Sequence, residues 1–300
     1  RYPDGNCFEL KKAIAKKHSV SSSMISLGNG SNELTYTLGM SFIEPADKVV
    51  VPCPMFALYE SMIRLHGGIP VRVTCSTDHQ VRTDAIIAAI EESQPKLTIL
   101  ATPNNPTGLA IPRMDVERII RASKGFVVID EAYHEFNPEG SAVDMLSHYP
   151  NVIVMRTFSK AFGLAGLRVG YLIGRAPVIG EMMKARLPFM VDRLAEQVAL
   201  LLLRHKDLVR ERIESIQENT SALFEAMSEI EGLEVLPSHT NFLLFRTGQD
   251  PATLLNALAD RGVLVRNMGG YEELKGFLRV TSGTTDENKA FLDALTPLLG

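Results

Sequence analysis

The chain has 300 residues, which exceeds one typical domain and is enough to bury a sizeable core. Its 31 Lys and Arg residues nearly balance 35 Asp and Glu residues, and the net charge of -4 gives no basic footprint for nucleic acid or an anionic membrane. The three cysteines, Cys7, Cys53 and Cys75, show no CxxC pair and no zinc-ligand spacing. We therefore expect free thiols, no metal site and a reducing, cytoplasmic compartment.

Helical and strand patterns alternate through the first two thirds of the chain. Apolar residues at helical spacing predict helices over 8–18, 32–43, 55–66, 83–93 and 113–123. Short β-branched runs predict strands at Val49–Val51, Ile69–Thr74, Leu97–Ala101, Phe126–Ile129, Val152–Arg156 and Arg168–Ile173. Because these strands lack polar alternation and are separated by helices, the pattern predicts an α/β fold with a mainly parallel sheet between helices.

The pattern changes after Pro188, where a second region begins. Residues 191–230 read as one long helix with a break. Strand-like segments follow at 233–236, 240–246, 263–266 and 277–281, with helices at 251–261 and 286–298. We therefore expect a large domain over 1–187, which residues 1–18 lead into, and a smaller α+β domain over 188–300.

Polar side chains follow three of the predicted strands within a few residues of each strand's end. In a parallel α/β sheet the carboxyl ends of the strands meet at one edge, and ligands bind there. The sequence therefore predicts one site that gathers Asn105, Asp130, Tyr133, Ser159 and Lys160.

Lys160 and Asp130 indicate the chemistry of this site. Lysine forms Schiff bases with carbonyl compounds, although a surface lysine that opens a helix would give the same local pattern. Asp130 ends an apolar strand, so its carboxylate needs a cationic or hydrogen-bonding partner. A protonated pyridine ring would serve, and such a ring stabilises a carbanion in pyridoxal phosphate (PLP) chemistry. A helix N-cap or a metal ligand are the alternatives for Asp130.

A glycine-containing segment precedes the helix predicted over 32–43. In Gly28-Asn29-Gly30-Ser31-Asn32-Glu33, glycines permit close approach of the backbone to an anion, and the helix N-terminus offers free N–H groups. Arg168 would supply a countercharge to the same anion. The segment predicts a phosphate site at Gly30, Ser31 and Asn32, although Ser or Asn with a following Glu is also an ordinary capping arrangement.

These segments together resemble the fold-type I PLP-dependent transferases, and within them the histidinol-phosphate aminotransferase branch. The matching motifs run in the expected order over nearly the whole chain. They are RYPD at 1–4, GNGSNEL at 28–34, NNPTG at 104–108, DEAY at 130–133, RTFSKAFGLAGLRVG at 156–170, VRN at 265–267 and FLRVT at 277–281.

The resemblance implies PLP as the cofactor and gives roles to the residues around it. Lys160 would carry PLP as a Schiff base and shuttle protons. Asp130 would pair with the pyridine nitrogen, while Asn105 and Tyr133 would hydrogen-bond the ring 3-oxygen. The PLP phosphate would be held by Gly30, Ser31, Asn32, Ser159 and Arg168.

Four further residues complete the set that the resemblance implies. Phe56 would stack on the cofactor ring, unless it is a core aromatic at a helix start. Tyr2 would reach the cofactor phosphate of the neighbouring subunit, which requires a homodimer. Arg266 and Arg279 would bind the anionic end of the substrate, unless each is paired with an Asp or Glu at the surface.

The implied activity is a transamination in histidine biosynthesis. It moves the amino group of L-histidinol phosphate to 2-oxoglutarate, which yields imidazole acetol phosphate and L-glutamate. An L-threonine-O-3-phosphate decarboxylase of cobalamin synthesis and an aromatic amino acid transaminase are alternatives, because each also holds an anion with arginine. A non-catalytic PLP-binding regulatory domain is the alternative from another class.

Overall fold

The computed structural model describes residues 2–137 and 139–299, and its largest feature is a seven-stranded sheet. The strands are β1 (Ile25–Asn29), β2 (Lys48–Cys53), β3 (Ile69–Thr74), β4 (Leu97–Ala101), β5 (Phe126–Asp130), β6 (Val152–Thr157) and β7 (Val169–Gly174). Their order in the sheet is β1-β7-β6-β5-β4-β2-β3. Strands β2 to β6 run parallel, whereas β7 is antiparallel to both of its neighbours. The predicted mainly parallel α/β sheet is confirmed.

Helices cover both faces of this sheet. They include α1 (Phe8–His18), α2 (Gly30–Phe42), α3 (Leu58–Leu65), α4 (Thr83–Ser93), α5 (Arg113–Ala122) and α6 (Ala176–Ala185). Val127 and Ile129 of β5 belong to the apolar core beneath α1, α4 and α5, while Val128 belongs to the core beneath α2, α3 and α6. Since alternate residues of one strand are buried on opposite faces, the strands read as continuous apolar runs.

A second, antiparallel sheet is built from the last third of the chain. Its strands are β8 (Glu234–Val235), β9 (Phe242–Arg246), β10 (Arg266–Asn267) and β11 (Phe277–Thr281), in the order β10-β11-β9-β8. The helices of this region are α7 (Arg193–Arg204), α8 (Lys206–Ser228), α9 (Pro251–Ala259) and α10 (Thr285–Leu295). Within the described part of the chain, no helix is long and apolar enough to cross a bilayer.

The chain passes from one core to the other along α8. Ala195 and Ala199 of α7 pack into the core that contains α1, whereas Leu223 and Met227 near the end of α8 pack into the core of the smaller sheet. The break between α7 and α8 falls at His205, inside the long helical pattern predicted over 191–230. The expected domain boundary near residue 187 stays a prediction.

Two elements and several boundaries differ from those the sequence predicted, and helix α3 begins three residues after the predicted position 55. The sequence did not predict strand β1, because the pairing of β1 with β7 is a tertiary contact that the local sequence pattern does not indicate. Helix α6 was also not predicted. Helix α2 begins at Gly30, two residues early. The prediction of a strand over 263–266 was wrong. Strand β10 covers Arg266–Asn267, because pairing with β11 begins only at Arg266.

A buried ion pair joins the ends of β5 and β6. The Nε atom of Arg156 donates to Oε2 of Glu131 at 2.6 Å, and the two side chains are 3% and 2% exposed. Ser141 also donates to Oε2, and the Ala142 N–H donates to Oε1. Since Glu131 follows Asp130 and Arg156 precedes Thr157, the pair fixes the spacing of the two strand ends that precede the site.

Glu131→Gln should destabilise the fold by about 3 kcal/mol, because it leaves the buried Arg156 charge paired only with Glu135, through the longer contact of 3.3 Å. Urea unfolding measures this loss. The matched control is Glu181→Gln, which breaks a pair with Lys184 of the same 2.6 Å length whose side chains are 73% and 71% exposed. The control should cost less than about 1 kcal/mol. Equal losses in the two variants would contradict the account.

Candidate active site

A cavity of about 280 Å³ lies at the carboxyl ends of β4, β5 and β6. These strands are parallel neighbours, so the segments that follow them converge at one edge of the sheet. The residues predicted from the sequence that line the cavity are Ser31, Asn32, Phe56, Asn105, Asp130, Tyr133, Ser159, Lys160, Arg168, Arg266 and Arg279. The five side chains expected at one site are therefore brought together.

Asp130 is a carboxylate at the wall of this cavity, 9% exposed. Its Oδ2 accepts a hydrogen bond from the Tyr59 hydroxyl at 2.7 Å, and its Oδ1 accepts one from the Ala132 N–H at 3.0 Å. Burial raises the pKa of Asp130, while these two hydrogen bonds oppose that rise. Neither bond makes it a helix N-cap, and the carboxylate keeps acceptor capacity for a donor in the cavity.

Lys160 lies in the turn that follows β6, and no helix begins there. Its backbone carbonyl accepts from the Gly163 N–H at 3.0 Å, and its Nζ lies 5.2 Å from the centroid of the Tyr133 ring. The side chain is half-buried and lines the cavity. The alternative of a surface lysine that opens a helix is therefore wrong.

An anion site lies where α2 meets the turn after β6. Asn29 makes no side-chain cap, so the first N–H groups of α2, at Ser31 and Asn32, are left for a ligand. Gly30 has a φ of 71°, and a Cβ there would lie 2.3 Å from Nη2 of Arg168. Arg168 in turn donates to the Ser159 hydroxyl at 3.4 Å. The glycine thus lets a guanidinium approach the helix N-terminus.

Arg266 and Arg279 lie directly opposite each other on β10 and β11. Arg279 donates to Oδ1 of Asn105, and its guanidinium lies 4.7 Å from the centroid of the Phe242 ring. Neither arginine forms an ion pair with a carboxylate in residues 2–137 or 139–299. The alternative of two arginines paired with surface acids is therefore wrong, and both cations line the cavity.

Phe56 and Tyr2 occupy different positions relative to the cavity. Phe56 lines it and precedes α3, which begins at Leu58, while also packing against the core below. Tyr2 stacks on Phe189 with ring centroids 4.8 Å apart, and it is 81% exposed. It does not line the cavity of its own chain.

Sequence reasoning missed several residues at this site. Tyr59 resembles an ordinary core aromatic of α3, and only the fold brings its hydroxyl to Asp130. Thr157 ends β6, and its hydroxyl donates to that of Ser159 at 2.9 Å. Met268 and Tyr271 follow β10 and also line the cavity, but no pattern in the sequence marks them.

Comparisons with known proteins agree with this geometry. The aminotransferase class I and II family matches residues 1–295. The histidinol-phosphate aminotransferase of Thermoanaerobacter sp. (strain X514) is 38% identical over 298 residues, which cover 99% of this chain and 84% of that protein.

Solved structures share the fold. The histidinol-phosphate aminotransferase from Sinorhizobium meliloti, in complex with pyridoxal-5'-phosphate, superimposes with a TM-score of 0.90 at 27% identity, covering 100% of this chain and 83% of that one. The L-threonine-O-3-phosphate decarboxylase from Porphyromonas gingivalis gives 0.87 at 25% identity, covering 100% and 90%. With a family match over almost every residue and a relative of this similarity, the chain belongs to the class I and II aminotransferases.

Proposed function

We propose that this chain is a PLP-dependent histidinol-phosphate aminotransferase. It would transfer the amino group of L-histidinol phosphate to 2-oxoglutarate and so release imidazole acetol phosphate and L-glutamate. One observation carries the proposal: Lys160, the Asp130 carboxylate and the N-terminus of α2 face one cavity. Histidinol-phosphate aminotransferases among the similar proteins support the choice of substrate.

The residues around the cavity suit PLP. Its phosphate would be held by the N-terminus of α2 at Ser31 and Asn32, by Ser159, and by Arg168, whose guanidinium can approach the helix because Gly30 has no Cβ. The pyridine nitrogen, once protonated, would donate to Asp130. Phe56 would stack on the ring, and Tyr133 and Asn105 would donate to its 3-oxygen.

PLP supplies, when bound, a pyridine ring that accepts electrons from the bond being broken. The protein supplies the proton transfers and the orientation. Lys160 is the primary amine that lines the cavity, so its Nζ would hold the cofactor and then move the proton between substrate and cofactor carbons. Asp130 would keep the ring nitrogen protonated, because an ionised carboxylate in a buried site favours an adjacent cation.

The substrate's anionic end would bind between Arg266 and Arg279. Both guanidiniums are free of carboxylate partners in the described ranges, and a guanidinium binds phosphate bidentately. Asn105 accepts from Arg279 through its carbonyl oxygen, so its amide remains a donor for the cofactor. Met268 and Tyr271 would form the remaining wall around the substrate.

A decarboxylase of L-threonine-O-3-phosphate is the second candidate. A solved structure of such an enzyme supports it, with a TM-score of 0.87 against 0.90 for the histidinol-phosphate aminotransferase from Sinorhizobium meliloti. The substrate of the decarboxylase also carries a phosphate, so the two arginines suit both substrates. We place either activity in the cytoplasm, because the cysteines Cys7, Cys53 and Cys75 are free thiols.

We also propose that the protein is a homodimer in which Tyr2 completes the neighbouring cofactor site. Tyr2 and Phe189 stack as an exposed aromatic pair, and Leu194 and Leu201 are exposed two turns apart on one side of α7. A second copy of the chain would cover these apolar side chains. The exposed Tyr2 hydroxyl would then be available to a phosphate of the partner.

The PLP-loaded protein should form glutamate from L-histidinol phosphate and 2-oxoglutarate, and it should use histidinol phosphate far better than histidinol. Arg279→Ala should lower the kcat/KM for histidinol phosphate by about 10- to 100-fold, since each charge-assisted hydrogen bond contributes roughly 1.5–3 kcal/mol. The kcat/KM for histidinol, which lacks the phosphate, should change far less. Half-reactions without 2-oxoglutarate measure both values.

Arg246→Ala is the matched control, because Arg246 lies on the neighbouring strand β9 and pairs with Glu234 away from the cavity. It should leave the preference unchanged. Carbon dioxide release from threonine phosphate would identify the decarboxylase instead. Phenylalanine used better than histidinol phosphate would contradict both candidates and identify an aromatic transaminase.

Sedimentation velocity should show a dimer, and mixed subunits should restore activity. Lys160→Ala subunits are inactive alone, whereas Tyr2→Phe subunits lose only the hydroxyl that we place at the partner's phosphate. Heterodimers of the two carry one unaltered site each. Their activity should therefore exceed the mean of the two parent dimers. A monomer at assay concentrations, or activity equal to that mean, would contradict the shared site.

A further inference from the structure

Tyr59 is a buried tyrosine whose hydroxyl lies beside the Asp130 carboxylate. It lies in α3 with 1% of its surface exposed, and its Oη donates to Oδ2 of Asp130 at 2.7 Å. Burial raises the pKa of Tyr59 well above its usual value, and the Asp130 charge adds to this shift. The hydroxyl therefore stays protonated at neutral pH, and it can only donate to the carboxylate.

The carboxylate needs this donor because its surroundings disfavour a charge. Burial and the nearby Glu131 raise the pKa of Asp130, while the Tyr59 hydroxyl, the Ala132 N–H and Lys160 oppose the rise. Of the two direct hydrogen bonds, the Ala132 bond is local to the turn after β5. Only the bond from Tyr59 anchors the carboxylate to a separate element, helix α3.

We propose that Tyr59 is a positioning residue for the cofactor, acting through Asp130. Its hydroxyl holds the carboxylate ionised and in one orientation, so that the free lone pairs of Asp130 face the pyridine nitrogen. The inference rests on the proposed function, since it requires PLP in the cavity. Tyr59, an aromatic residue of the core, would thus help to keep the pyridine nitrogen of PLP protonated.

The chain offers a matched control for the loss of one buried hydroxyl. Tyr171 of β7 is equally buried, at 1% exposed, and its hydroxyl lies 3.0 Å from Nε2 of His18. It does not line the cavity. Tyr171→Phe therefore removes a hydrogen bond to a titratable group without touching Asp130, and it isolates the structural cost of such a change.

The test compares wild type, Tyr59→Phe and Tyr171→Phe, each loaded with PLP carrying nitrogen-15 in its ring. In Tyr59→Phe the nitrogen-15 resonance should move toward the neutral pyridine value, because a more basic Asp130 takes the ring proton. The kcat should fall at least about tenfold, the loss expected for a hydrogen bond to a charged group. Tyr171→Phe should keep the wild-type resonance and kcat within about twofold.

A double-mutant cycle separates positioning from a structural role. If Tyr59 acts through Asp130, Tyr59→Phe should change the single-turnover rate by less than about twofold in an Asp130→Ala background. An equal loss in both backgrounds would overturn the inference, as would a Tyr59→Phe resonance identical to that of Tyr171→Phe. Wild-type protein that binds no PLP would instead contradict the proposed function itself.

If Tyr59→Phe fails to fold, carbon-13 NMR of the cofactor-free wild-type protein still tests the inference. The Asp130 carboxyl signal is identified as the one that is missing from the spectrum of Asp130→Asn. In the wild type, its chemical shift at pH 7 should be that of an ionised carboxylate. A protonated Asp130 in the wild type would overturn the inference, because the Tyr59 bond is assigned to keep it charged.

Discussion

The site depends on the hydrogen bonds that hold the Asp130 carboxyl group at the end of a buried strand. Asp130 terminates β5 with apolar cores on both sides of the sheet, and an isolated charge there would be costly. Its compensation comes from the Tyr59 hydroxyl of α3 and the Ala132 N–H of its own turn. Helix α3, strand β5 and the turn after β5 must therefore all be folded before Asp130 can line the cavity as a carboxylate.

The same edge arranges positive charge on the other sides of the cavity. Arg168 approaches the N-terminus of α2 over Gly30, and Arg266 and Arg279 face the cavity from the smaller sheet without carboxylate partners in the described ranges. Arg156, by contrast, does not line the cavity and is paired with Glu131 and Glu135. A ligand with a cationic ring nitrogen between two anionic ends satisfies this distribution.

The sequence predicted the parts of the site that follow from the parallel direction of the strands alone. Residues after parallel strands must meet at one edge, and Lys160 and Asn105 were found in that way. Tyr59 could not be found, because its spacing in α3 is that of a core residue and the destination of its hydroxyl is set by tertiary packing. Strand β1 escaped for a similar reason, since its antiparallel pairing with β7 stabilises a segment with weak local preference.

We propose that Lys160 and Asp130 together hold PLP in the cavity at the ends of two neighbouring strands. Borohydride reduction of the PLP-loaded protein, followed by peptide mapping, tests it most directly, because reduction fixes the cofactor to the amine that carries it. We expect a pyridoxyl group on Lys160 alone and no labelling in Lys160→Ala. A pyridoxyl group on any other lysine, or an unlabelled wild-type protein, would contradict it.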